Sequence, residues 1–227
     1  MKVAACITAR NECKTIGLLV RLLRRYGYDV FVADAGSTDG TGDIAHFNGA
    51  EVVRHDKAPG IGPALVDLWK IAYEEGYDAV VQIDAGGSHY PPDAKRLVRA
   101  LEEGVHVVVG SRFIEGSWYT GRPLRKRLSQ LASRKLNEVT GFEFTDWTSG
   151  FRVFSREALW SLARDCYKTK MHGWQIEVLH LAAWLGLDVR EVPIRYAAGR
   201  SSLNWRIAWE AFGVWKRLHR NWKEKSR

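Results

Sequence analysis

Two rhythms of apolar residues alternate along this chain. Short runs rich in Val, Ile and Ala end abruptly in polar, glycine-containing segments, and between them apolar positions recur at helical spacing. Lys2 to Thr8 reads as a strand buried on both faces. After the polar turn Ala9-Arg10-Asn11-Glu12, the positions Ile16, Leu19, Val20, Leu22 and Leu23 predict a helix over Thr15 to Arg25. Val30 to Ala33 is a second strand, and a helix begins near Thr41. Val52-Val53 is a short strand, and Gly60 to Glu75 a helix with Leu65, Leu68, Trp69 and Ala72 on one face. Ala79 to Ile83 is a buried strand, followed by a helix over Asp93 to Leu101 and a strand over Val105 to Val109. The later elements are a basic helix from Arg122 to about Asn137, a strand at Phe151 to Phe154, a helix at Ile176 to Leu185 and a last strand at Val189 to Ile194.

Strands and helices that alternate with short links predict an α/β fold with a doubly wound, mostly parallel sheet flanked by helices. Right-handed crossovers then bring the strand ends to one edge, where such sheets bind ligands. Two strands stop there at a carboxylate followed by permissive backbone: Asp34-Ala35-Gly36-Ser37-Thr38-Asp39-Gly40-Thr41 and Asp84-Ala85-Gly86-Gly87-Ser88-His89. Asp34 and Asp84 should line one cleft, and without a cationic ligand they would repel each other. Plainer roles stay open: Asp84 or Asp39 as a turn or cap residue, and His89 as a partner of backbone. No repeat or linker divides residues 1–202, which read as one domain. Residues 203–227 read as a C-terminal amphipathic helix, with Trp205, Trp209, Trp215 and Trp222 mainly on one side and Arg206, Arg217 and Arg220 on another. That helix either packs its indoles on the sheet or lies on an anionic membrane surface.

Composition narrows the partners. A net charge of +8 favours phosphates, nucleic acid or anionic lipid. No nucleic-acid motif accompanies the basic residues, which argues against nucleic acid. The three cysteines, Cys6, Cys13 and Cys166, lack metal-site spacing and suit reduced thiols in a cytoplasmic protein. Neither a secretory leader nor an apolar run long enough to span a bilayer is present, so the expectation is a protein peripheral on the cytoplasmic face of a membrane, with no transmembrane segment. The first strand-helix turn has no G-x-G-x-x-G, and no P-loop pattern occurs anywhere. Carboxylates at two strand ends, with the cations Arg122, Arg125, Lys126, Arg127 and Arg134 beyond them, suit a nucleoside diphosphate group.

An ordered set of segments carries a family resemblance: Thr8-Ala9-Arg10-Asn11-Glu12, Asp34 to Thr41, Asp84-Ala85-x-x-x-His89, Gly110-Ser111-Arg112, Asp146-x-Thr148-Ser149-Gly150-Phe151-Arg152, Gln175-Ile176-Glu177 and Glu191-Val192-Pro193-Ile194. Over about residues 1 to 205 the chain resembles the family-2 glycosyltransferases, most closely the dolichyl-phosphate (polyprenyl-phosphate) mannose or glucose synthases. The resemblance implies a GT-A fold and inverting transfer of a sugar from a nucleotide-sugar donor to a polyprenyl phosphate. It also implies roles residue by residue. Ala9, Arg10, Asn11 and Glu12 match the loop around the nucleotide. Asp34 matches the carboxylate on the base, with Ser37 and Asp39 in its loop. Asp84 matches the first carboxylate of a metal-binding Asp-x-Asp, and Arg112 an arginine near the transferring phosphates. Arg125 and Ser129 match the acceptor-phosphate site. Asp146 and residues 149–152 match the acceptor wall, Gln175 and Glu177 the helix beneath it, and Arg200 and Ser201 a closing loop.

Two departures stand out. Gly86 replaces the second carboxylate of Asp-x-Asp, and Ser202 stands where the closing loop usually has lysine. Asp84 with Ser88 and His89 offers a Mg²⁺ or Mn²⁺ site that needs further ligands from substrate phosphates. Alternatively Arg10, Arg112 and Arg200 neutralise a diphosphate without metal. A lipid phosphate acceptor, already anionic, needs no strong base, whereas a sugar hydroxyl would need one, with Asp146 the candidate. Rival readings are a nucleotide-sugar-binding protein that has lost turnover, and a nucleotidyltransferase, whose glycine-rich, lysine-bearing first loop is absent here.

Overall fold

The computed structural model describes residues 1–55, 60–165 and 173–198. The segment 203–227 and the loop holding Arg200 and Ser201 lie outside the described residues. From the N-terminus the elements are β1 (Val3–Ala9), α1 (Ile16–Arg25), β2 (Asp29–Asp34), α2 (Thr41–Phe47), β3 (Glu51–Arg54), α3 (Ile61–Glu74), β4 (Ala79–Gln82), α4 (Asp93–Glu102) and β5 (Val107–Ser111). They continue with β6 (Trp118–Thr120), α5 (Pro123–Thr140), β7 (Arg152–Ser155), α6 (Arg156–Asp165), α7 (Trp174–Trp184), β8 (Val189–Pro193) and β9 (Arg195–Ala197).

Seven strands form one sheet in the order β3-β2-β1-β4-β7-β5-β8, which is the doubly wound arrangement that the alternating pattern predicts. Side chains alternate across it. Val3, Ala5 and Ile7 of β1, with Val30 and Val32 of β2, pack against α1 and α4. Ala4, Cys6, Phe31 and Val80 face α3, α6 and α7 on the other side. Strands buried on both faces read as continuous apolar runs, which is why their positions were visible in the sequence. The second layer centres on Trp69, whose ring centroid lies 4.6 Å from that of Phe154 and 5.1 Å from that of Trp174.

One strand departs from the expected pattern. β7 is antiparallel to both β4 and β5, so its beginning, not its end, lies at the carboxyl edge of its neighbours. Residues 149–152 therefore meet the Asp84 loop. Three elements lie outside the expected set: β6, β9 and the ten-residue α6. β6 and β9 pair only with each other in a small second sheet, and strands of three residues are too brief for a period to register.

Trp69 is fully buried among aromatic neighbours. Trp69→Ala is expected to cost about 3–5 kcal/mol through lost contacts and a residual cavity. Urea unfolding measures this, and a loss within about 0.5 kcal/mol, typical of surface positions, would show that the aromatic layer does not hold the helices to the sheet.

Candidate functional site

β1 lies between β2 and β4, and the register fixes how their ends relate. Ala9 pairs with Asp34, and Cys6 with Gln82, so Asp84 follows at the level of Thr8. At about 4.8 Å per strand, the two carboxylates sit roughly 10 Å apart on either side of β1. The chain order also reverses here: β2 and β3 extend one way from β1, β4 the other. Such a switch point opens a crevice between strand ends.

Each carboxylate is seated against a glycine. A Cβ at Gly42 would stand 2.5 Å from Asp34 Oδ2, and one at Gly150 would stand 2.6 Å from Asp84 Oδ2 and overlap Oδ1. No side chain fits at either place while the carboxylate holds its position. Asp34, largely buried, also accepts the Ser37 N–H at 3.0 Å. The Asp84 side chain stays half-exposed, facing His89 Nε2 across 3.1 Å at Oδ2.

The loops after β1 and β2 are stitched together. Asn11, the one non-glycine residue with positive φ (56°) among the described residues, accepts the Thr38 N–H at Oδ1 (3.0 Å) and donates its own N–H to Ser37 Oγ (3.0 Å). Glu12 N–H donates to Thr41 Oγ1 at 2.8 Å. Asp39 accepts Cys13 N–H at 3.1 Å through Oδ2, and Thr41 N–H (3.1 Å) and Oγ1–H (2.5 Å) through Oδ1. Led by the Thr41 hydroxyl, these bonds hold the Asp39 carboxyl down at about 2. Asp39 thus places both oxygens on backbone and hydroxyl partners that join the two loops, while its side chain stays at the surface. Ala9 is buried at the strand end, and Arg10 is exposed beside it.

Two expectations change with the geometry. His89, expected as a metal ligand, has a side chain only 1% exposed, with its ring between Phe151 and Tyr196, each 5.2 Å away. It stands behind Asp84 and orients it. The Ser88 carbonyl ties the loop down by accepting Ala197 N–H at 2.8 Å. Asp146, the candidate base, is fully buried. Its Oδ2 accepts Arg112 Nε (2.7 Å) and backbone N–H (3.1 Å), and its Oδ1 accepts Arg112 Nη2 at 2.7 Å. Burial alone would raise the Asp146 carboxyl, but the Arg112 charge and hydrogen bonds outweigh it and hold the pKa below the ordinary range. A carboxylate locked in this way neither reaches an acceptor nor takes its proton. The pair instead fixes Arg112, which also donates to Thr148 Oγ1 at 2.6 Å and lies 5.1 Å from the Tyr196 ring.

Glu191 was visible only as part of a motif, yet it builds this corner. Its carboxylate accepts the Thr145 N–H and hydroxyl (2.9 and 2.7 Å) and the Asp146 N–H (2.9 Å). Arg125, Ser129 and Ser133 fall one turn apart on α5. Ser133 Oγ accepts Trp147 N–H at 3.3 Å, so this face of α5 runs from the Asp146 corner out to Arg125. Beneath the site, Arg152 donates to the Gln175 and Trp147 carbonyls at 2.7 and 3.0 Å, and Glu177 Oε2 is buried with no hydrogen-bond partner among the described residues.

The sequence pattern of the family described as Glycosyl transferase family 2 matches residues 4–163. The undecaprenyl-phosphate mannosyltransferase of Micrococcus luteus is 32% identical over 93% of this chain and 91% of its own. A UDP-N-acetylglucosamine–dolichyl-phosphate N-acetylglucosaminyltransferase of Methanococcus voltae is 30% identical, over 83% of each chain. Among solved structures, glucosyl-3-phosphoglycerate synthase from Mycobacterium tuberculosis, in complex with Mn²⁺, UDP and glucosyl-3-phosphoglycerate, superposes with a TM-score of 0.72 at 26% identity, over 94% of this chain and 77% of that one.

The buried pair gives a testable consequence. Asp146→Asn leaves Arg112 without its counter-charge and is expected to cost about 3–5 kcal/mol. Because the folded-state pKa is depressed, the pair's contribution is complete above the unfolded value of about 4 and is lost as pH falls through the folded value. Chemical denaturation between pH 7 and pH 3 should show a steeper acid loss in the wild type than in the variant. Parallel curves would remove the pair as a stabilising element.

Proposed function

Because the chain belongs to glycosyl transferase family 2, we propose that it moves a sugar from a nucleotide-sugar to a polyprenyl phosphate at the surface of a membrane. The observation that carries the choice of acceptor is the Asp146–Arg112 lock. It removes the carboxylate that a hydroxyl acceptor would require as base, whereas a phosphate monoester is an ionised nucleophile near neutral pH. The names of the relatives from Micrococcus luteus and Methanococcus voltae favour the same acceptor class.

In this reading the donor lies across the β2-β1-β4 edge of a GT-A fold. Asp34, with Ser37, Ala9, Arg10 and Asn11, takes the nucleoside, and Asp84 lies at the diphosphate. Arg112, fixed by Asp146, places positive charge beside the leaving group. A phosphate oxygen of the acceptor, held by Arg125 and Ser129, attacks the anomeric carbon opposite the diphosphate. The new C–O bond forms as the bond to the diphosphate breaks, which inverts the anomeric centre and releases the nucleoside diphosphate. Catalysis is then positioning plus stabilisation of developing charge. By the resemblance, Arg200 and Ser201 would close over the donor.

A divalent ion, Mg²⁺ or Mn²⁺, would neutralise the diphosphate as its charge develops. Among the described residues no group of three or more His, Cys, Asp or Glu side chains could hold one alone. The half-exposed Asp84 carboxylate suits an ion completed by substrate phosphates.

α5 supports the membrane reading. Leu124, Leu128 and Leu131 are each at least half exposed and fall on one stripe of the helix. At 100° per residue, Arg125 flanks this stripe on one side and Arg127 and Arg134 on the other. An apolar stripe between cations suits the interface of an anionic bilayer. No helix among the described residues is long and apolar enough to cross a membrane. The tryptophan-rich, basic segment 203–227 would add a second contact with the same surface.

Release of nucleoside diphosphate from nucleotide-sugars, with polyprenyl phosphate and Mn²⁺ present, tests the activity. Asp34→Ala and Asp84→Ala should each abolish it, and near-normal rates in both would remove the cleft assignment. Arg125→Ala should raise the KM for polyprenyl phosphate at least about tenfold while changing that for the donor little, as expected when about 1.4 kcal/mol or more of phosphate binding is lost. Equal effects on both substrates would make the basic face of α5 a solvated surface. Anionic liposomes should sediment the protein at low salt better than neutral ones, and equal sedimentation would exclude the surface role.

A further inference from the structure

The crevice at the switch point has one wall from the loop after β1 and the other from the loop after β4. Across it, Glu12 meets Gly86. A Cβ at Gly86 would stand 3.4 Å from Glu12 Oε1 and 3.9 Å from its Cδ, so Glu12 carries its carboxylate into the space that a side chain at 86 would enter. The contact is built on both sides. Thr15 Oγ1 donates to Glu12 Oε2 at 3.4 Å and to its carbonyl at 3.2 Å, and the Glu12 N–H is fixed on Thr41 Oγ1. The next residue of the turn, Gly87, has φ +70°, and a Cβ there would stand 3.2 Å from Thr15 Cγ2. The turn at 86–87 is thus closed down on Glu12 and Thr15. Burial, opposed by the Thr15 bond, together with the charges of Asp39 and Asp84, raises the Glu12 carboxyl pKa.

Gly86 is also where the resemblance expects the second carboxylate of Asp-x-Asp. We propose that Glu12 supplies that missing carboxylate: with Asp84 it forms the two-carboxylate seat for the divalent ion of the donor diphosphate, an acid from the loop after β1 replacing one from the loop after β4. The inference rests on the transferase reading above. Two hard oxygen donors with substrate phosphates completing the shell is an ordinary arrangement for Mg²⁺ or Mn²⁺. The longer Glu side chain spans the crevice that an Asp at 86 would enter directly, and glycine at 86 leaves room for it.

Mn²⁺ titration followed by electron paramagnetic resonance, with UDP or GDP present, reads the seat without turnover. Glu12→Gln keeps the size of the side chain and should weaken Mn²⁺ binding by more than about tenfold, the scale of losses at metal sites. Binding of the same diphosphate without metal should change little. The double variant Glu12→Gln with Gly86→Asp restores a carboxylate from the other wall and should recover Mn²⁺ affinity. Unchanged Mn²⁺ affinity in Glu12→Gln overturns the proposal. So does an equal loss of metal-free diphosphate binding, which would make Glu12 a nucleotide contact, or a double variant as weak as Glu12→Gln. Sugar transfer that persists in EDTA, with no Mn²⁺ bound by the wild type, would overturn the metal seat and leave the transferase reading intact. Absence of transfer with any cation would count against that reading itself.

Discussion

The carboxyl edge of the sheet depends on one strand running backwards. β7 enters between β4 and β5 antiparallel to both, so the residues that precede it arrive at the edge where its neighbours end. Gly150 thereby comes against Asp84, and Asp146 comes beneath Arg112. Arg152 goes into the core, where backbone carbonyls take its donors. Had β7 been parallel, the segment 146–152 would lie at the opposite edge, and neither contact could form.

Charge at this edge is handled in two ways. Asp146 and Arg112 are buried together with short, paired hydrogen bonds, the condition under which a buried pair is tolerated. Their function is placement: Glu191 fixes the backbone of Asp146, and Asp146 fixes Arg112. Asp84 and Glu12 face each other across the crevice with imidazole and hydroxyl partners. Like charges held close by packing favour a cationic or cation-carrying ligand, since binding one relieves their repulsion. The locked pair and the open carboxylates thus give the edge a rigid half and a receptive half.

The order of strands and helices, and the two carboxylates at strand ends, were legible because strands buried on both faces leave uninterrupted apolar runs. Parallel crossovers have one hand, so the edge they share follows from that order. The ordered motifs named the family as well. The roles of single residues were less legible. His89 and Asp146 carry the same groups whether they touch a ligand or hold a loop, and only their partners distinguish the two. The Phe151 and Tyr196 rings enclose His89, and Arg112 claims Asp146.

The sequence by itself determined the layered α/β architecture, the switch point beside β1 and the chemical character of the edge, because these follow from local periodicity and residue type. Tertiary structure alone decided the direction of β7, the pairing of β6 with β9, and the contacts of Gly42, Gly150 and Gly86 with carboxylates distant in the chain. A glycine shows in a sequence only as an absent side chain. What occupies the space it leaves is set by residues brought there by the fold, and at Gly86 that residue is Glu12, 74 positions earlier.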